Sequence, residues 1–155
     1  MNLRLVALGH RMPAWVAAGW VEYTRRLPRD FALELVELKP ESRAQARTAT
    51  QLLAAEAPRI AAACKGATVV AFDERGRPWS TRMLADNLAR WRDDALSVAF
   101  VVGSADGLAD SVKQRASAVV ALSALTLPHG LVRVIVAEQV YRAASLLSGH
   151  PYHRD

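Results

Sequence analysis

Short apolar runs alternate along this chain with longer stretches in which apolar residues return every three or four positions. The short runs have the length of β-strands, and they fall at residues 3–8, 32–38, 67–72, 97–103 and 117–123. The longer stretches predict helices at residues 13–27, 43–63, 80–92, 107–115 and 131–147. Five strand–helix alternations predict an α/β domain with a mainly parallel sheet of five to six strands flanked by helices.

The predicted strands differ in how much of their surface we expect to be buried. The second run carries Glu34 and Glu37, which predicts an edge strand, whereas the third and fourth runs are almost entirely apolar, as strands covered on both faces are. Pro58 falls inside the second helical stretch and predicts a kink or a division there, because proline lacks the N–H that a helix interior uses.

The loops that follow the strands exclude three common classes of α/β site. A dinucleotide site needs G-x-G-x-x-G after the first strand, but "LGHRMP" holds one glycine; no phosphate-binding G-x-x-x-x-G-K-[ST] occurs, and no acidic phosphoacceptor residues follow the first strand. The glycines gather instead in "VVGSADGLAD", and the fifth run continues into the mostly apolar "LSALTLPHG". Such a loop at the end of a parallel strand predicts a wall around a flat, partly apolar ligand such as an adenosine.

Composition fits a nucleic-acid partner, although a codon bias toward Ala and Arg would explain it equally well. Twenty Lys and Arg residues against fifteen Asp and Glu give a formal net charge of +5 over 155 residues, and only three of the twenty cations are lysines. Arginine suits phosphate and stacks on bases. Cys64 is the only cysteine and no run of 18 apolar residues occurs, so we expect a cytoplasmic protein with no membrane span. The histidines and Cys64 lack zinc-ligand spacing, so no metal is expected.

Four segments resemble one family from end to end. They are "LVALGHRMPAWVAAGWVEYTRRLPRD", "FDERGRPWST", "LSALTLPHGLVRVIVAEQVYRA" and "HPYHR". The chain is similar to the minimal SPOUT-class methyltransferases that modify pseudouridine in large-subunit ribosomal RNA. The resemblance implies a single SPOUT domain over residues 1–155, a C-terminal trefoil knot, an obligate homodimer, and S-adenosyl-L-methionine bound in the knot. The implied acceptor is N3 of a pseudouridine in the intersubunit-bridge stem-loop of 23S RNA, within the assembled ribosome.

The resemblance also implies which residues hold the cofactor. They are Phe72, Gly103 and the run Leu122, Ser123, Ala124, Leu125, Thr126 and Leu127. The chain departs from the family at Ser104, where a second glycine is usual, and so adds a side chain beside the cofactor loop.

The C-terminal "GHPYHRD" holds groups that suit the acceptor chemistry. An imide-type N–H must lose its proton before the nitrogen attacks, which calls for a base and for cations that stabilise the anion. The implied catalytic residues are His129, His153, Tyr152, Arg154 and Arg142. Either His129 or His153 can be the base, and Arg142 either reaches the substrate or only pairs with Glu138. We expect the tail to be ordered in the dimer and to close over the target nucleotide.

Two other functions fit the sequence. A SPOUT enzyme acting on a ribose hydroxyl or another base of tRNA is disfavoured, because 155 residues leave no room for an appended RNA-binding domain. A ribosome assembly factor that has kept the fold but lost catalysis is favoured by Ser104, and it would bind ribosomes without binding the cofactor.

Overall fold

The computed structural model describes residues 1–43 and 46–153, and Arg154, one of the implied catalytic residues, lies outside the described residues. Strands and helices alternate along this part of the chain. The strands are β1 (Asn2–Leu8), β2 (Leu33–Leu38), β3 (Thr68–Pro78), β4 (Ser97–Val102) and β5 (Ala118–Ala121). The helices are α1 (Ala14–Thr24), α2 (Ala49–Ala63), α3 (Thr81–Asp93), α4 (Asp110–Arg115) and α5 (His129–Ser148), with a short 3-10 turn at Arg29–Phe31 before β2.

All five strands pair in parallel, in the order β2-β1-β4-β3-β5. The predicted α/β fold with a parallel sheet flanked by helices is therefore confirmed, with five strands in the described part of the chain. β2 lies at an edge, as its two glutamates indicate, and β4 lies at the centre. The trefoil knot stays a prediction from the family resemblance.

Helices cover both faces of the sheet, and the alternation along β4 shows how. Val98, Phe100 and Val102 pack into a core with residues of α1, α3 and α5. Ala99 and Val101 point the other way and pack with residues of α2 and α4. Because successive side chains of a strand point to opposite faces, a continuous apolar run serves two cores at once. No helix among the described residues is long and apolar enough to cross a membrane.

The helix α2 departs from the prediction at its start and in its middle. It begins at Ala49 rather than at residue 43, because the Thr48 side chain accepts from the Gln51 N–H while the Gln51 side chain accepts from the Thr48 N–H. The helix also runs through Pro58 to Ala63, so the division predicted there is wrong. Pro58 and Ala54 are both exposed, which leaves water to satisfy the carbonyl that the proline cannot bond.

The strand β3 continues beyond its predicted end at residue 72. Its pairing with β5 shifts register between Phe72 and Arg77, so residues 73–76 leave the regular ladder before the strand resumes. Local irregularities of this kind re-aim side chains at sheet edges and beside active sites. Here the irregularity directs the side chains of residues 73–75 toward a cavity at the carboxyl edge of the sheet.

Candidate active site

A cavity of about 700 Å³ opens at the carboxyl ends of β3, β4 and β5. Ligands of open α/β sheets bind outside this edge, and the volume is in the range of small-molecule sites. Seven of the eight residues predicted to hold a cofactor line the cavity, namely Phe72, Gly103, Leu122, Ser123, Leu125, Thr126 and Leu127. Ala124, the eighth, is exposed and is absent from the lining.

The glycine loop, residues 103–107, forms a tight turn at the end of β4. The Gly107 N–H donates to the Ser104 carbonyl at 2.9 Å, and Gly107 has φ of 87°. A Cβ on Gly103 would collide with the Gly107 carbonyl oxygen. Glycine is therefore required at position 103 for the turn to close beside the cavity.

The apolar run after β5 forms one wall of the cavity. The Ser123 hydroxyl accepts from the Leu125 N–H at 2.9 Å, and the Thr126 hydroxyl donates to Glu74 Oε2 at 3.3 Å. The second bond ties the run to the irregular part of β3. The wall is thus held in place by polar groups while its leucines offer apolar surface.

Acidic side chains line the cavity, and they are not among the site residues predicted from the sequence. Within the described residues the charged lining consists of Asp73, Glu74, Asp106, Asp110, Arg75 and Lys113. Lys113 Nζ lies 3.7 Å from Asp73 and 3.5 Å from Asp110. An excess of carboxylates in a protein of net charge +5 favours a ligand that carries positive charge. The "DERG" that directly follows the predicted third strand is the signal that could have revealed Asp73 and Glu74.

His129, at the start of α5, lines the same cavity, and both of its ring nitrogens have partners. Arg133 Nε donates to His129 Nε2 at 3.1 Å; since a guanidinium can only donate, the ring proton lies on Nδ1, which donates to the Gly103 carbonyl at 2.9 Å. Burial is the largest influence on this imidazole and lowers its pKa; the hydrogen bond to the Gly103 carbonyl opposes the lowering, the charge of Arg133 adds to it, and the charge of Glu37 opposes it least. His129 is therefore held as a neutral imidazole.

Arg133 itself is 2% exposed. Besides His129, it pairs with Glu37 at 2.7 Å and donates to the Gly9 carbonyl at 2.7 Å. Its three contacts join α5 to the ends of β1 and β2 and, through His129, to the glycine loop. Nothing in the neighbourhood of this arginine along the chain marks it as buried, so its role was not predictable from the sequence.

Tyr152 and Arg142 form a second cluster near the other end of α5. The Tyr152 hydroxyl donates to Glu138 Oε1 at 3.0 Å, and Arg142 pairs with the same oxygen at 2.6 Å. The Arg142 guanidinium also lies 4.9 Å from the centre of the Tyr152 ring, which packs against Tyr141. Burial, followed by the hydrogen bond to Glu138, raises the pKa of Tyr152 to about 12. The tail is thus folded back on its own helix.

Tyr152 and Arg142 are not among the residues that line the cavity. Arg142 lies thirteen positions after His129 on α5, which corresponds to about 20 Å along the helix. His153 lies beside the tail cluster in sequence, and its Nδ1 is buried with no hydrogen-bond partner among the residues described. The structure therefore gathers the predicted cofactor residues in one place and Tyr152 and Arg142 in another.

Two further kinds of reactive centre, a metal site and a cysteine nucleophile, are not supported within the described residues. Across residues 1–43 and 46–153, no group of three His, Cys, Asp or Glu residues is placed to hold a metal ion. Cys64 is buried at the C-terminal end of α2, and burial raises the pKa of its thiol. A raised pKa disfavours the thiolate, so this residue is poorly suited to act as a nucleophile.

Known proteins resemble this chain in sequence and in fold. A family model described as "Predicted SPOUT methyltransferase" matches residues 1–153. "Ribosomal RNA large subunit methyltransferase H" of Burkholderia mallei (strain SAVP1) is 54% identical over 155 residues, which cover 99% of each chain. A "probable methylase family protein" of Haemophilus influenzae Rd KW20 superposes with a TM-score of 0.59 at 15% identity, over 99% of this chain and 71% of that one. The "Probable Methyltransferase" of Bordetella pertussis Tohama I gives 0.58 at 17% identity, over 92% and 93%; both structures support the fold alone.

Proposed function

Because the chain belongs to the SPOUT methyltransferase family, we propose that it transfers a methyl group from S-adenosyl-L-methionine to large-subunit ribosomal RNA. The name of its relatives of 54% identity, "Ribosomal RNA large subunit methyltransferase H", supports this substrate class. We assign N3 of a pseudouridine in the intersubunit-bridge stem-loop as the acceptor, and the assembled ribosome in the cytoplasm as its setting. The finer assignment rests on the family resemblance of the C-terminal segments.

The observation that carries the proposal is the cavity at the carboxyl ends of β3, β4 and β5. Its lining combines an apolar wall, a glycine loop and several carboxylates. The leucines of the wall and Phe72 suit the flat face of an adenine, and carboxylates suit both the hydroxyls of a ribose and a positively charged sulfonium or amine. The residues present therefore fit S-adenosyl-L-methionine, which supplies an electrophilic methyl group when bound.

The acceptor nitrogen needs a base, and the two candidate histidines are not equivalent. His129 would have to release Arg133 before Nε2 could take a proton, so we assign it to positioning Gly103. His153 carries a ring nitrogen without a partner in the described part of the chain, and we assign it to the removal of the imide proton. Tyr152 offers a ring for stacking on the base, and Arg142 and Arg154 offer positive charge for the developing anion.

A homodimer would bring the two groups together. Since Tyr152 and Arg142 do not line the cavity of their own chain, and Arg142 lies about 20 Å along α5 from His129, we propose that the tail of one copy completes the cavity of the other. Trp15 and Val21 on α1 are more than half exposed, and burial of such side chains at an interface between copies would be favourable.

Methyl transfer from labelled S-adenosyl-L-methionine tests this function directly. The acceptors are intact 70S ribosomes, free large subunits and bulk tRNA. We expect label in the large-subunit RNA of 70S ribosomes, and digestion to nucleosides should recover it as a methylated pseudouridine. Label in tRNA instead would support a tRNA enzyme, and tight ribosome binding with no label and no cofactor affinity would support the assembly factor.

A truncated chain that lacks residues 150–155 separates the tail from the cavity. We expect it to lose methyl transfer while it still binds S-adenosylhomocysteine in calorimetry, because the cavity lining lies entirely upstream of the tail. Transfer that persists without these six residues would contradict a catalytic role for the tail.

A further inference from the structure

Glu56 is a buried carboxylate that neither lines the cavity nor belongs to the tail cluster. It lies on α2 between Leu52 and Ile60 on the buried face of the helix, and it is 3% exposed. Carboxylates are rarely buried to this degree unless hydrogen bonds replace the water they lose. Its partners therefore indicate what the side chain does.

Each oxygen of Glu56 holds a different segment of the chain. Oε2 accepts from the Ser104 hydroxyl at 3.1 Å, and Ser104 belongs to the glycine loop that lines the cavity. Oε1 accepts from the backbone N–H of Glu41 at 3.2 Å, in the connection between β2 and α2. One buried side chain thus joins this connection to the glycine loop.

A second contact joins the same two segments on the surface. Arg43, from the connection between β2 and α2, pairs with Asp106 of the glycine loop at 2.7 Å. The Arg43 side chain is 61% exposed, so this ion pair adds little by itself. The buried contact through Glu56 is the one that can hold the loop.

The glycine loop is held from both sides. His129 donates to the Gly103 carbonyl from α5, and Ser104 donates to Glu56 from the side of α2. A loop that is already ordered does not lose conformational freedom when its ligand binds, which favours affinity. Ser104, which replaces the family's usual second glycine, supplies the hydroxyl through which α2 acts on the loop.

We infer that Glu56 is a positioning residue for the cofactor: by accepting from Ser104 and Glu41, it holds the glycine loop in the conformation that binds S-adenosyl-L-methionine. The inference rests on the proposed function, because it assigns the cavity to that cofactor. It also assigns Ser104 a supporting role in binding, in place of the loss of catalysis that an altered glycine loop would suggest.

Three substitutions test the inference by calorimetry with S-adenosylhomocysteine. Glu56→Ala removes both acceptors and should weaken binding about tenfold or more, as expected for a lost hydrogen bond to a charged group. Ser104→Ala removes only the hydroxyl and should weaken binding severalfold with little change in Tm. Glu56→Gln should restore most of the affinity, because its amide oxygen can accept from Glu41 while its amide N–H donates to Ser104.

Kinetics give a second readout that a merely structural role would not move. In methyl transfer, Glu56→Ala should raise the KM for S-adenosyl-L-methionine about tenfold and leave kcat at saturating cofactor within a few-fold of the wild type, since bound cofactor orders the loop. Thr48→Ala is the matched control, because it removes the N-cap of the same helix without touching the glycine loop. It should lower Tm and leave the Kd unchanged.

The outcomes separate the inference from the proposed function. If the wild type binds S-adenosylhomocysteine and both Glu56→Ala and Ser104→Ala bind it equally well, Glu56 only supports α2 and the inference is wrong. The same holds if Glu56→Ala changes Tm and Kd as Thr48→Ala does. If the wild type itself does not bind, the proposed function fails and the inference fails with it.

Discussion

Arg133 donates to His129, Glu37 and the Gly9 carbonyl from a position that is 2% exposed. A buried guanidinium of this kind stabilises the fold only while all its partners remain, because each partner has given up water to meet it. Through His129 the same side chain also orders the Gly103 carbonyl. Stability and the shape of the proposed cofactor site therefore depend on one residue.

Replacing Arg133 by methionine should be costly. Arg133→Met retains most of the aliphatic stem but leaves His129 Nε2 and the Gly9 carbonyl without donors, so we expect the free energy of unfolding to fall by about 3 kcal/mol in urea titration. Arg142→Met on the same helix is the matched control. The Arg142 side chain is 32% exposed and pairs with Glu138 at i,i+4, so its loss should change the free energy of unfolding by less than about 1 kcal/mol. Equal effects of the two substitutions would contradict the role given to Arg133.

The lowered pKa of His129 makes stability depend on pH in a defined direction. Its folded-state pKa lies below the unperturbed value of 6.5, so the unfolded state binds more protons once the pH falls below about 6.5. The contribution of His129 is thus complete above that pH and is lost as the pH falls toward the folded pKa. The free energy of unfolding should drop more between about pH 7.5 and 5.5 in the wild type than in His129→Asn. A drop of the same size in both proteins would show that His129 titrates normally.

Some site residues were predictable from the sequence because their position directly after a predicted strand identifies them. Gly103 and the run at residues 122–127 follow strands directly, so the rule that ligands bind at the carboxyl ends of parallel strands points to them. Glu56 and Arg133 were not predictable in the same way. Their burial depends on partners 15 to 124 positions away, and a lone charge on a helix is ordinarily solvated.

At the level of elements, the hydrophobic pattern located the five strands and five α-helices of residues 1–43 and 46–153, and its errors have local causes. The start of α2 follows from a capping box at Thr48, whose T-x-x-Q pattern is visible in the sequence. The extension of β3 to Pro78 depends on pairing with β5 across an irregularity, and no periodicity within residues 73–78 reveals it. The ends of helices and strands are hardest to predict from a single sequence where they depend on pairing with distant residues.

The helix α5 carries His129, which lines the cavity, and Glu138, which holds Tyr152 of the tail. Ultraviolet spectroscopy can follow this contact through Tyr152. The chain has three tyrosines, and Tyr152 has a pKa raised to about 12 by burial and by Glu138. In an ultraviolet titration, Tyr152→Phe should therefore remove a late component near pH 12. Glu138→Gln should move that component toward 10, because it removes the carboxylate that disfavours the phenolate.

The same titration bears on the order of the tail. Because the folded pKa of Tyr152 lies above its ordinary value, the tail contact is retained below about pH 10 and is lost as the pH rises through the folded value. If the component that Tyr152→Phe removes has its midpoint near pH 10 instead of near 12, the tail is not held on α5 as described.

At the scale of the whole molecule, the proposed site is divided between two copies. In this proposal the cavity of one chain would hold the cofactor, and the tail of another would supply His153, Tyr152 and the arginines. Neither the knot nor the dimer could be worked out from hydrophobic periodicity, because the pattern reports which face is buried and not what covers it. Both expectations came from the family resemblance.

Mixed dimers test the divided site most directly. One variant, Gly103→Ala, closes the cofactor loop with a Cβ that meets the Gly107 carbonyl, and the other, His153→Ala, removes the proposed base. Each alone should be inactive. A purified heterodimer with one chain of each kind retains one intact cavity facing one intact tail, so a divided site predicts about half of the wild-type methyl transfer per dimer. A site contained within one chain predicts no methyl transfer by the heterodimer, since each chain then carries a defect of its own. An inactive heterodimer that still binds one S-adenosylhomocysteine per dimer would contradict the divided site.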